Sequence, residues 1–106
     1  MKALLCKQFG PPESLVLEDL PSLEPAAGEV IVEVKAAGVN FPDVLIIQDK
    51  YQVKPPLPFS PGSEFAGVVK SVGEGVSGFK HRDTVLGRGY QCAREEVAVD
   101  AKQVWK

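Results

Sequence analysis

The sequence predicts a mainly β fold, a small barrel or sandwich carrying one short helix near residues 42–48. Three observations carry that prediction. Nine prolines and ten glycines punctuate a chain of 106 residues at short intervals, which favours short strands joined by tight turns. One stretch, Glu29 to Lys35, alternates strictly between two faces. A single segment, beginning at Phe41, carries the start signals of a helix.

The elements follow in order. Lys2–Lys7 ends at Gly10-Pro11-Pro12 and Leu15–Glu18 ends at Pro21, so these two apolar stretches are expected to pair as a hairpin. In Glu29–Lys35, Val30, Val32 and Val34 fall on one face and Ile31, Glu33 and Lys35 on the other, the pattern of a half-buried strand. In Phe41–Gln48, Pro42 suits the first helical position and Asp43 complements the positive end of the helix dipole, predicting about two turns. Between Lys54 and Pro61, Pro55, Pro56, Pro58 and Pro61 remove backbone donors, which predicts a stiff loop. Strands are then expected at Phe65–Val72, Thr84–Leu86 and Glu96–Val99, with turns at Gly73–Gly78 and Gly87–Tyr90.

Composition bounds the function. With 44% hydrophobic and 25% charged residues the chain reads as one modest globular domain. A net charge of -2 gives no electrostatic case for nucleic acid or an anionic membrane. No apolar run approaches the roughly 20 residues of a membrane helix, and Met1–Cys6 is too short for a secretory signal, so a soluble cytoplasmic protein is expected, with the mitochondrion also open. Cys6 and Cys92 lie far apart and show no metal-ligand spacing, which predicts reduced structural thiols.

Gly73-Glu74-Gly75-Val76-Ser77-Gly78 matches the G-x-G-x-x-G pattern of a dinucleotide-binding turn. That mechanism needs a helix N-terminus to receive the pyrophosphate, and only Phe79–Arg82 separates Gly78 from the next strand signal. A glycine-rich β-turn is the expected reading.

Four linked pieces carry a resemblance: Gly28-Glu29-Val30, Ala36 through Asp43, Pro61 through Val69, and Val72 through Phe79. In order and spacing they resemble the quinone oxidoreductase branch of the medium-chain dehydrogenase/reductases. The resemblance implies a GroES-like fold, a partly open β-barrel, normally followed by a Rossmann domain that holds NADPH in the cleft between the two. This chain then corresponds to the substrate-side domain, residues 1–106, without that nucleotide-binding partner, and is expected to be inactive alone. Zinc-dependent members carry a cysteine where this chain has Asn40 and a histidine where it has Ser63, so no zinc or other metal is expected. Hydride transfer to a quinone or enone does not need the Lewis acid that alcohol oxidation does. The family usually reads Gly-Asp-Arg-Val where this chain has Arg82-Asp83-Thr84-Val85, and Gly-x-Phe-Ala-Glu near Gln91–Glu95, which puts the turn geometry in question because side chains disfavour positive φ.

By the same resemblance Asn40, Asp43 and Tyr51 fall where the nicotinamide or the substrate is approached, Asn40 and Asp43 as the catalytic candidates. Each has a plainer reading. Asn40 suits a helix cap, Asp43 suits dipole complementation, and Tyr51 suits a loop aromatic covering the core. Glu64 is a further candidate for the binding site, with a structural ion pair as its alternative. His81 reads as a solvated turn residue, and an exposed Trp105 near the chain end would favour self-association.

The implied activity is NADPH-dependent reduction of quinones or electron-poor carbonyl compounds. An enoyl-thioester reductase of the same superfamily is the enzymatic alternative, kept open by Tyr51. A non-enzymatic barrel that binds a partner is the alternative of another class. A co-chaperonin analogue would need a long mobile loop, where this chain has the proline-stiffened Lys54–Pro61.

Overall fold

A computed structural model describes residues 1–106 and contains seven strands and one α-helix: β1 (Lys2–Leu5), β2 (Val16–Asp19), β3 (Glu29–Ala37), α1 (Phe41–Ile46), β4 (Glu64–Val72), β5 (Thr84–Arg88), β6 (Glu96–Asp100) and β7 (Val104–Trp105). β1 and β2 form the expected antiparallel hairpin. The other five strands form an antiparallel sheet in the order β6-β3-β4-β5-β7.

That order forces the sheet to curl. β6 and β7 lie on opposite edges, yet only the short 3-10 turn Ala101–Gln103 joins them. In a flat sheet those edges stand about 19 Å apart, and the connecting residues reach about 14 Å even when fully extended. The strands therefore close toward each other as a partly open barrel, the GroES-like architecture. The hairpin attaches through an isolated pairing of Ala3 with Arg94.

Inside the curl, Val30, Val32, Phe65, Val69, Val85, Cys92, Val97, Val99 and Val104 make one continuous apolar cluster. β3 is the central strand, and here the half-buried expectation is corrected. Ile31 is as fully buried as Val30 and Val32. Its face also carries Ala98 and Glu96 of β6, and the backbone N–H of Leu23 donates to Glu96 Oε1 at 3.0 Å, so the segment between β2 and β3 crosses over it. A strand covered on both faces loses its polar alternation. Burial pushes the Glu96 carboxyl up, but the Lys70 ammonium at 2.8 Å and the Leu23 N–H outweigh it and hold the carboxyl below its ordinary value. The stabilisation from this pair is complete at neutral pH and is lost as the pH falls through that lowered value.

Three glycines decide local geometry. A methyl group at Gly67 would strike the Glu33 carbonyl across the β3–β4 ladder, next to the register shift between Val34 and Ala36. Gly87 was expected in a turn but lies buried within β5, which runs on to Arg88. A Cβ there would come within 2.6 Å of the Phe65 ring and 2.7 Å of the Gln103 carbonyl, so this glycine admits a core aromatic. Gly75 lies at φ 82° in the turn after β4, with no helix following before β5.

β7 was not foreseen. Two residues give no periodicity, and Trp105 pairs with Leu86 while the Arg88 guanidinium sits 5.9 Å over its ring. The helix starts one residue before Pro42 and is shorter than two full turns, running from Phe41 to Ile46. The turn bond from the Asp49 N–H to the Ile46 carbonyl and the left-handed Asp49, φ 58°, end it there.

Candidate functional site

The site forms where α1, the proline-rich loop and the turn before β6 meet. Asn40 caps α1 from extended backbone, and its N–H donates to Asp43 Oδ2 at 2.8 Å. The other carboxylate oxygen of Asp43 accepts the N–H of Gly62 at 3.2 Å. Asp43 is buried, and both its oxygens are held by backbone donors, so it ties the start of the helix to the loop entering β4. Cys6, Ile47 and Phe59 form a small apolar cluster that fastens the far side of the helix to the loop, with Cys6 and Phe59 exchanging backbone hydrogen bonds.

Between these elements lies a cavity of about 220 Å³, lined by Asp43, Tyr51, Ser60, Gly62, Tyr90 and Gln91 among others. A cavity of roughly 150 Å³ holds benzene, so one substituted six-membered ring fits this space. The polar lining offers donors from the two tyrosine hydroxyls, the Ser60 and Ser63 hydroxyls and the Gln91 amide, beside the Asp43 carboxylate that backbone N–H groups already engage. Arg94 stands behind the wall, its Nε and Nη2 donating to Ser60 Oγ at 3.1 and 2.9 Å. The thiol of Cys92 is pushed up to about 11, first by burial and then by the Asp43 carboxylate, and is a neutral core group.

Of the residues singled out from sequence, Asp43 and Tyr51 line the cavity; Asn40 is not part of the lining and stands exposed at the head of α1. Glu64 is elsewhere. It is exposed, forms no ion pair, and lies over Gly38 in a separate groove with Arg88 and Trp105. The ion pair expected of it is absent because the side chain stays in water, where a carboxylate needs no partner. Ser60, Gln91 and Arg94 were missed. Ser60 is hidden between prolines, and Gln91 and Arg94 sit in the stretch where the family pattern breaks down. His81 is exposed, with Nδ1 2.8 Å from the Lys70 carbonyl.

The Gly73–Gly78 turn borders a groove that also carries Glu29, Asp100 and Lys102, and no helix follows the turn to receive a pyrophosphate. No three His, Cys, Asp or Glu side chains gather as a metal-binding group. Both thiols are free and buried. No helix is long and apolar enough to cross a membrane.

The comparisons agree with this architecture. The alcohol dehydrogenase GroES-like domain family matches residues 26–105. The mouse quinone oxidoreductase-like protein 2 is 38% identical over 106 residues, covering 99% of this chain and 30% of the relative. The crystal structure of the human synaptic vesicle membrane protein VAT-1 homolog-like protein superposes with a TM-score of 0.96 at 33% identity, covering 100% of this chain and 35% of that one. That of the Escherichia coli quinone oxidoreductase complexed with NADPH gives 0.93 at 31%, covering 99% and 32%. The chain thus spans about a third of the length of each relative. It belongs to the alcohol dehydrogenase GroES-like domain family, in the company of quinone oxidoreductases of the medium-chain dehydrogenase/reductase type.

Proposed function

We propose that this chain supplies the substrate-side wall of a cleft in which NADPH reduces quinones or related electron-poor carbonyl compounds, and that it does not turn over without a nucleotide-binding domain. The observation that carries the reading is the ring-sized cavity lined by groups able to donate, its one carboxylate, Asp43, being already engaged by backbone N–H groups, the complement of a flat acceptor whose polar atoms are carbonyl oxygens. The quinone oxidoreductase relatives, one of them solved with NADPH, support the same reading.

NADPH, when bound, supplies the hydride. The chain's part is alignment, exclusion of water and stabilisation of the oxygen that becomes negative. The Asn40 amide, exposed at the head of α1, suits the nicotinamide carboxamide or a substrate oxygen. Tyr51 offers its hydroxyl and ring edge to the acceptor. Asp43 acts as a positioning residue, because both of its oxygens are already occupied by backbone N–H groups.

The test is a chimera in which this chain replaces the matching N-terminal third of the Escherichia coli enzyme, with menadione as acceptor and NADPH oxidation followed by absorbance. Quinone-dependent oxidation is expected. A chimera that binds NADPH but reduces only an enoyl thioester would transfer the reading to the thioester reductases, and one that reduces neither would end it.

A further inference from the structure

We propose that Ser60, polarised by Arg94, is an oxygen-holding donor in the lining of the cavity, built to stabilise a phenolate-like oxygen. The proposal deepens the quinone reading above and rests on it for the identity of the natural ligand.

Arg94 is half-buried and takes part in no ion pair, so its charge is spent on neutral acceptors: two N–H groups on Ser60 Oγ and one on Gln91 Oε1 at 3.0 Å. Ser60 is only 2% exposed, and its Oγ donates to no group of the protein. With both acceptor positions of that oxygen filled by the guanidinium, the O–H proton is left to point elsewhere, and the open space beside Ser60 is the cavity. Donation from a guanidinium polarises the hydroxyl and makes it a stronger donor. Gln91 is set the same way. Its Oε1 accepts from the Ser60 N–H at 3.3 Å and from Arg94, which fixes the amide orientation and leaves its NH₂ group as a second donor on the cavity wall.

The other charged and titratable groups around the site do not cancel this arrangement. The Asp43 carboxylate on α1 is engaged by the Gly62 and Asn40 N–H groups, Glu64 at the start of β4 is in water, the Cys92 thiol is neutral, and Tyr51 and Tyr90 are donors. Hydride addition to a quinone leaves a hydroquinone monoanion that takes a proton from solvent. Its phenolate oxygen is the charge that Ser60 and Arg94 are placed to receive.

The probe is para-nitrophenol, whose phenolate is coloured, titrated in the presence of the 106-residue chain. Bound probe is expected to ionise about one pH unit lower than free probe, a roughly tenfold gain in phenolate at a given pH below that of free probe. Ser60→Ala and Arg94→Met should each abolish the shift, and Arg94→Lys should keep part of it. Ser60→Ala removes one oxygen and leaves the fold, checked by amide NMR, so the idea does not depend on the arginine variant folding. An unshifted probe, a shift that survives Ser60→Ala, or failure of the chain to bind at millimolar probe each overturns it. The two readings fail separately. Quinone turnover by a chimera that is indifferent to Ser60→Ala removes this donor and leaves the reductase, whereas a Ser60-dependent phenolate shift without turnover removes the reductase and leaves an oxygen site.

Discussion

The barrel and the site end of this molecule are held together by different physics. The barrel encloses nine buried residues, seven of them valines, in a single apolar cluster with strands laddered on both sides. The site end has three buried apolar residues and depends on polar ties: Asp43 to Gly62 and Asn40, and Arg94 to Ser60 and Gln91. Apolar burial is non-directional and tolerates many sequences, whereas a buried carboxylate or guanidinium fixes atoms in place. A ligand-binding end gains more from the second, since positions that move by an ångström lose alignment.

The contrast can be broken experimentally. Gly67→Ala should have the largest effect, about 3 kcal/mol or more of lost stability in chemical denaturation, because its methyl group meets the Glu33 backbone and neither strand can yield without unzipping β3 from β4. Asp43→Ala comes next at about 2–3 kcal/mol, since two backbone N–H groups lose their acceptor, with Asp43→Asn keeping about half. If Asp43→Ala proved the more damaging of the two, the site end would be the stronger half and the comparison would reverse.

The smallest effect runs the other way. Arg82 at φ 80° occupies the left-handed region at one of the turns where the family pattern has glycine, and its exposed side chain makes no contact that compensates. Arg82→Gly should raise stability by about 0.5 kcal/mol, the relief of the left-handed strain less glycine's larger unfolded-state entropy. A loss in thermal or chemical denaturation would show that the turn is held by something other than its backbone. Gln91, at φ 62°, is the instructive neighbour, because its side chain is used and the same substitution would remove a cavity wall.

Much was legible in the residues alone. The hairpin, the strands β3, β4 and β6, the capped helix and the absence of a phosphate-binding helix after Gly78 all follow from local signals: proline and glycine punctuation, period-two alternation and cap chemistry act within a few residues of one another. The linked motifs also pointed to the family that the comparison finds over residues 26–105.

What lay beyond reach was whatever depended on residues distant in sequence. Burial of Ile31 needs the segment near Leu23 folded across the sheet; Gly87 reads as a turn until Phe65 is packed beside it; β7 exists because the curl brings two residues alongside Leu86. The same holds for the site. Asn40, Asp43 and Tyr51 could be named from sequence, but the engagement of both Asp43 oxygens, and the joining of Ser60 to Arg94, 34 residues away, are decided by tertiary contacts. Local propensity and pattern determine which elements form, while the partners of a buried charge are chosen only when the chain has closed around it, because that is when water is no longer there to serve.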